Sequence, residues 1–241
     1  MTTTTSTIRP TTTRPDPLRR RAFAAGALYL VTFVSIPTLA LFGPLHDPAR
    51  FLLGTGTDAA VQWGALSEVV VALAGVGTAV VLFPVVKRQS ETAALGFVAS
   101  RVIEAALILV GVVALLTLLA VRGTAGADPA ALIPTGQALV AVYDKAFLLS
   151  QSLAPVFNAL CLGYVLYRSR LVPRILPVIG LVGAPMLLAS DIAILFGLYD
   201  RAAPIAALLA LPIAAWEFSL GVYLLVKGFR PTGVAALEPA V

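Results

Sequence analysis

Six stretches of the chain are dominated by apolar residues, and the polar positions gather in the gaps between them. The stretches run from about Ala22 to Phe42, Ala60 to Val86, Ala93 to Val121, Ala146 to Tyr167, Ile175 to Leu198 and Ala203 to Val226, each bounded by charge, proline or glycine. Crossing a bilayer as a helix takes roughly 20 such residues, so every stretch is long enough to span. The pattern predicts an all-α integral membrane protein, a bundle of six transmembrane helices over residues 22–227. Pro37, Pro155, Pro185 and Pro212 fall inside the stretches. In a bundle, neighbouring helices, water and hydroxyls can satisfy the carbonyls a proline frees, so kinks are expected and breaks are not.

Residues 1–21 are rich in threonine and carry five arginines, too polar to bury a core, and predict a disordered tail; residues 228–241 form a second short tail. Arg19, Arg20 and Arg21 abut the first apolar stretch in the manner of a secretory signal. That stretch is too long for a signal and no A-x-A site follows, so it reads as an uncleaved first span.

Orientation follows from lysine and arginine beside the spans, because positive loops stay in the cytoplasm. Arg9, Arg14, Arg19, Arg20, Arg21, Lys87, Arg88, Arg168, Arg170, Arg174, Lys227 and Arg230 share one side, and Arg50, Arg122, Lys145 and Arg201 the other, so both termini are expected in the cytoplasm. Trp63, Tyr143 and Tyr199 near outer ends, and Tyr167 and Tyr223 near inner ends, suit headgroup depth. Trp216, near mid-span, does not. The first three helices and the last three show no convincing self-similarity, which argues against an inverted-repeat transporter.

Composition agrees with the pattern: 59% of residues are hydrophobic and 12% charged, against roughly 25% charged in a soluble domain. Mean hydropathy is +0.94 and the net charge is +5. The cations sit beside apolar runs and not among reading or stacking groups, which excludes a nucleic-acid surface. One cysteine, Cys161, and one histidine, His46, allow neither an intramolecular disulfide nor a Cys/His zinc site. His46, beside Asp47 and Pro48, reads as a solvated loop residue. Ser67, Ser100 and Ser190 lack a histidine base, so no hydrolase triad assembles. The glycines of Gly54-Thr55-Gly56-Thr57 lie between spans and make a flexible turn, not a phosphate cradle.

One cation and four carboxylates remain inside the spans: Glu68 in the second, Arg101 and Glu104 in the third, Asp191 in the fifth and Glu217 in the sixth. A charged group at mid-helix costs roughly 2.5–3.5 kcal/mol to insert, so these groups need partners, water or an ion. Small residues accompany them on one face: Ala72, Gly75 and Ala79 with Glu68; Gly180 and Ala184 with Asp191; Ala210, Ala214 and Gly221 with Glu217. Small residues mark helix contacts, so all three acids are expected to point inward. Arg101 and Glu104 are three apart on one helix face, and Asn158 of the fourth span, in line with Ser150, Ala154 and Cys161, is placed to join them. Glu68, Arg101, Glu104, Asn158, Asp191 and Glu217 are therefore expected to line one polar cavity. Fully ionised, it would carry −3, so some carboxylates must be protonated, hydrated or bound to a cation.

The sequence Phe83 to Gly111, FPVVKRQSETAALGFVASRVIEAALILVG, and Leu171 to Ala184, LVPRILPVIGLVGA, resemble bacterial multi-pass membrane proteins grouped as domain of unknown function 4386. Pro84 with Lys87 and Arg88, the Arg101-x-x-Glu104 step, and Leu171-Val172-Pro173-Arg174 carry most of the likeness, which covers roughly Arg20 to Lys227. The resemblance implies a six- or seven-helix protein of a bacterial cell membrane and brings no activity with it.

The expected function is binding or passage of a proton, metal cation or small cationic solute, with Glu104 and Glu217 central, Glu68 and Asp191 as outer ligands and Arg101 as counter-ion. No cofactor is implied and the identity of any metal is left open. The alternative is a non-catalytic regulatory or partner subunit, associating with another membrane protein or with itself, in which the charges are interhelical glue. An intramembrane lipid enzyme fits less well, since no Asp-x-x-Asp pair is present to hold a divalent metal.

Overall fold

The structure is a computed structural model that describes residues 16–34, 36, 39–55, 57–123 and 129–237. Among these residues every regular element is helical. The long helices are α1 (Pro17–Thr32), α2 (Asp58–Val86), α3 (Glu91–Gly123), α4 (Ala130–Ser169), α5 (Ile175–Leu195) and α6 (Pro204–Val226). A short α7 (Pro231–Ala235) follows. Of the tail expected over residues 1–21, residues 1–15 lie outside the described residues, as does the side chain of His46, and Pro17–Arg21 are helical instead of disordered.

Two helices differ from their apolar stretches. α1 begins at Pro17, not Ala22, because Asp16 accepts the Leu18 N–H at 3.0 Å and proline is pre-shaped for the first helical turn. It ends at Thr32, not Phe42. A 3-10 segment, Leu39–His46, lies beyond it. α4 is longer than its apolar core: Gln137, Asp144 and Lys145 interrupt the hydrophobic pattern but not the helix, which runs for 40 residues. At Leu148–Leu153 it widens into a π-helical turn. Pro155 follows and offers no N–H to the Gln151 carbonyl, which explains why the regular ladder slips there.

Five helices, α2 to α6, are long and apolar enough to cross a membrane. α1, at 16 residues, measures about 24 Å. Each long helix packs on the next, and α6 returns to α1, closing a ring in which α3 and α6 stand opposite one another. Glycines permit the closest crossings. A Cβ on Gly26 of α1 would lie 2.5 Å from the Leu225 nitrogen and 2.6 Å from the Gly221 carbonyl of α6, and one on Gly180 of α5 would strike the Trp216 ring at 2.5 Å. Such backbone approach is how helices associate where lipid removes the hydrophobic drive.

The distribution of polarity is inverted relative to a soluble protein. Leu73, Val113 and Leu211 are at least 60% exposed, whereas Glu68, Arg101 and Glu104 are each under 8% exposed. Soluble monomers rarely expose apolar patches beyond a few hundred Å². Here exposed apolar side chains occur on every long helix.

One end of the ring gathers the basic segments. Arg19 donates to the carbonyls of Leu224, Leu225 and Val226 at 3.2, 2.9 and 3.1 Å, capping α6 with a cation where its dipole is negative. α7 folds back on the α4–α5 turn, where Arg230 N–H donates to Leu171 O at 2.8 Å. At the other end Arg122 pairs with Asp58, and Arg201 with Asp144 at 3.0 Å.

Candidate functional site

Arg101 lies inside the ring on the buried face of α3, with its side chain alongside Gly75 of α2: a Cβ at Gly75 would sit in ordinary contact, 3.9 Å from Arg101 Cδ and Nη1. The guanidinium joins the two sides of the ring. Nη1 donates to Glu104 Oε1 and Oε2 on its own helix at 3.2 and 3.1 Å, and Nη2 to Glu217 Oε1 of α6 at 2.7 Å. A planar fork of donors can hold two carboxylates at once, which a lysine ammonium does with less geometric definition.

α4 completes the cluster. Asn158 Nδ2 donates to Glu104 Oε2 at 2.6 Å, and its own Oδ1 accepts from the Ser100 hydroxyl at 2.7 Å. The chain Ser100–Asn158–Glu104–Arg101–Glu217 thus links α3, α4 and α6. The rings of Tyr29 on α1 and Phe97 lie 5.3 and 5.8 Å from the guanidinium carbon, a distance at which ring and cation attract. The Tyr29 hydroxyl and Arg101 Nε at this cluster, and Trp216 Nε1, are buried with no well-formed hydrogen bond. Side-chain exposure rises from 3% at Arg101 through 9% at Glu104 to 14% at Glu217, so Glu217 is the most accessible of the three.

Glu68 and Asp191 do not share this guanidinium. Glu68 accepts from the Tyr143 hydroxyl at 2.8 Å and neighbours Gln151. Asp191 accepts from the Ser152 hydroxyl, and its second oxygen is buried without a partner. Both hydrogen bonds come from α4, that to Glu68 from Tyr143 ahead of the π-helical turn and that to Asp191 from Ser152 within it. Arg201 reaches in from the α5–α6 connection, bonded to Asp144 and 4.1 Å from the Phe147 ring centre. Nearby, Tyr199 donates to Ser190 at 2.9 Å.

The six residues expected in one cavity thus fall into two groups. Arg101, Glu104, Asn158 and Glu217 are bonded together. Glu68 and Asp191 belong to a second polar group around α4, and no hydrogen bond or ion pair joins the groups among the described residues. Among the same residues no three of His, Cys, Asp and Glu gather as a metal-ligand set.

Sequence reasoning did not select Tyr29, Tyr143, Gln151, Ser152 or Arg201 as site residues. Ser150-Gln151-Ser152, three polar residues in succession just ahead of Pro155, was a usable signal for the π-helical turn. Tyr143 and Arg201 gave none, since headgroup depth and a loop position already accounted for them.

A ring of helices, five of them long and apolar enough to span, with an apolar exterior and charges turned inward, defines a multi-pass membrane protein. The chain belongs to the family described as domain of unknown function (DUF4386), whose model matches residues 24–228, from within α1 to just beyond α6. No curated protein and no solved structure matches the chain.

Proposed function

We propose that this is a six-span protein of a bacterial cell membrane, both termini cytoplasmic, that takes up a proton or a small organic cation at Glu104 and Glu217 and passes it across the ring. One observation carries the reading: two carboxylates from opposite sides of the ring share a single buried guanidinium. With both ionised the cluster holds one formal negative charge in excess, and an unbalanced ion in a low-dielectric interior costs several kcal/mol. Uptake of one positive charge brings the sum to zero.

The exposure gradient supports Glu217 as the first contact. An arriving cation competes with Arg101 for Glu217, while Glu104, held by Asn158, retains its side of the fork. A proton or organic cation suits this arrangement better than a metal ion, because the described residues offer charge and hydrogen bonds but no set of three ligands. The collection of basic residues at the end that holds Arg19, the α4–α5 turn and α7 supports cytoplasmic termini. α1 with the segment that follows it supplies the sixth span.

The regulatory-subunit reading also has support, since the three hydrogen bonds that Arg101 donates to Glu104 and Glu217 would serve equally to tie α3 to α6. Proteoliposomes separate the two. Under an imposed proton or methylammonium gradient, the wild-type chain is expected to dissipate the gradient faster than protein-free vesicles, and Glu104→Gln and Glu217→Gln to abolish the difference. Equal rates for all preparations would remove the transport reading and favour the structural tie, for which a stoichiometric co-purifying protein is the positive sign.

A further inference from the structure

A second polar feature lies away from the charge cluster, at the basic end of the ring. A half-open cavity of about 450 Å³ is lined by Gln89, Tyr167, Arg168, Arg170, Arg174 and Thr232, among others. Its walls come from three places in the sequence: the α2–α3 turn, the end of α4 with the α4–α5 turn, and α7.

Arg168, Arg170 and Arg174 are exposed on this one cavity, and none of the three forms an ion pair with a carboxylate among the described residues, so their charge is open to an anionic ligand. The fold braces the backbone of the turn that carries them. Arg170 adopts a left-handed backbone, φ 56°, the only non-glycine to do so among the described residues. α7 buttresses that turn from behind: a Cβ on Gly233 would lie 2.6 Å from the Arg170 carbonyl, and Arg230 N–H bonds to Leu171 O. Ser169 Oγ, buried, accepts the Leu171 N–H at 3.4 Å. The Arg174 guanidinium lies 4.8 Å from the Tyr167 ring centre, which positions it without neutralising it. Arginine forks match phosphate oxygens, and basic pockets between helices at the cytoplasmic face suit anionic headgroups.

We propose that this cavity binds a phosphate group, with Arg168, Arg170 and Arg174 as its ligands and Gln89 and Thr232 as polar neighbours. The phosphate comes either from an anionic lipid of the adjoining leaflet or from free phosphate in solution. The site is independent of the charge cluster between α3, α4 and α6.

Native mass spectrometry of the full chain, after detergent exchange, tests this with three probes: phosphatidylglycerol, phosphatidylcholine of the same acyl chains, and inorganic phosphate. Retention of phosphatidylglycerol at least tenfold above phosphatidylcholine supports the proposal with lipid as the source. Saturable binding of inorganic phosphate without a preference between the lipids supports it with free phosphate as the source. In either case Arg168→Gln/Arg170→Gln/Arg174→Gln is expected to lower binding at least tenfold, while Lys87→Gln/Arg88→Gln, at the same end but outside the cavity lining, leaves it within twofold. Should the triple variant not purify as a single species, Arg168→Gln and Arg174→Gln are read separately, each expected to lower binding by threefold or more. Absence of binding by the wild-type chain, undiminished binding by the arginine variants, or equal loss in the Lys87/Arg88 control would each overturn it.

Discussion

Replacing Arg101 by methionine keeps the length and apolar bulk of the side chain and removes the charge that Glu104 and Glu217 share. Two estimates of the cost differ enough to decide between mechanisms. If only hydrogen bonds mattered, the three donated to the two carboxylates, at about 0.6 kcal/mol each between membrane helices, give about 2 kcal/mol. If the guanidinium is the counter-charge for two buried carboxylates, its loss costs about 3–5 kcal/mol, because the acids are left unpaired. The second applies here, since Arg101 is 2% exposed and Glu104 is 7% exposed. Unfolding in detergent can be followed by tryptophan fluorescence: Trp216 is fully buried one position from Glu217, whereas Trp63 is already 65% exposed. Arg101→Met is expected to lose about 3–5 kcal/mol, and Arg101→Met/Glu104→Gln/Glu217→Gln to recover most of that loss, because no ion is then left unpaired. A single variant within about 1 kcal/mol of wild type, or a triple variant no more stable than the single, would refute the charge-balance reasoning.

Further outcomes follow from individual contacts. Gly26→Ala, whose Cβ would meet α6 backbone at 2.5 Å, should destabilise the α1–α6 crossing by about 1–3 kcal/mol in the same unfolding assay. Tyr143→Phe removes the hydroxyl that donates to Glu68 and should cost about 1–3 kcal/mol, whereas Tyr164→Phe, on an exposed ring, should be neutral. For topology, Asp200→Cys in a Cys161→Ser background should react with a membrane-impermeant maleimide added to intact cells, and Arg88→Cys only after lysis; the reverse pattern would invert the orientation.

The sequence announced the bundle through runs of apolar residues, a signal that averages over many positions and so survives local irregularity. Helix ends were less visible. α1 ends at Thr32, inside an apolar run, and Asp144 with Lys145 hid the first half of α4, because polarity and helicity are different properties. The inward direction of Glu68, Asp191 and Glu217 was readable from the small residues that share their faces. Which charges meet was readable only within one helix, as for Arg101 and Glu104 at i, i+3. The meeting of Arg101 with Glu217 depends on the ring order that sets α3 opposite α6, the capture of Glu68 by Tyr143 on how α4 packs against its neighbours, and that of Asp191 by Ser152 on the π-helical turn before Pro155. None of these leaves a periodic trace.

The excess of one carboxylate over the guanidinium is the heart of the account, and counting what the cluster takes up reaches it most directly. Purified protein in weakly buffered detergent solution can be titrated with methylammonium while heat and released protons are recorded. One saturable equivalent per chain, appearing as bound cation or as displaced proton and absent from Glu104→Gln/Glu217→Gln, is the predicted result. No uptake by the wild-type chain, or the same uptake by the double variant, would contradict it.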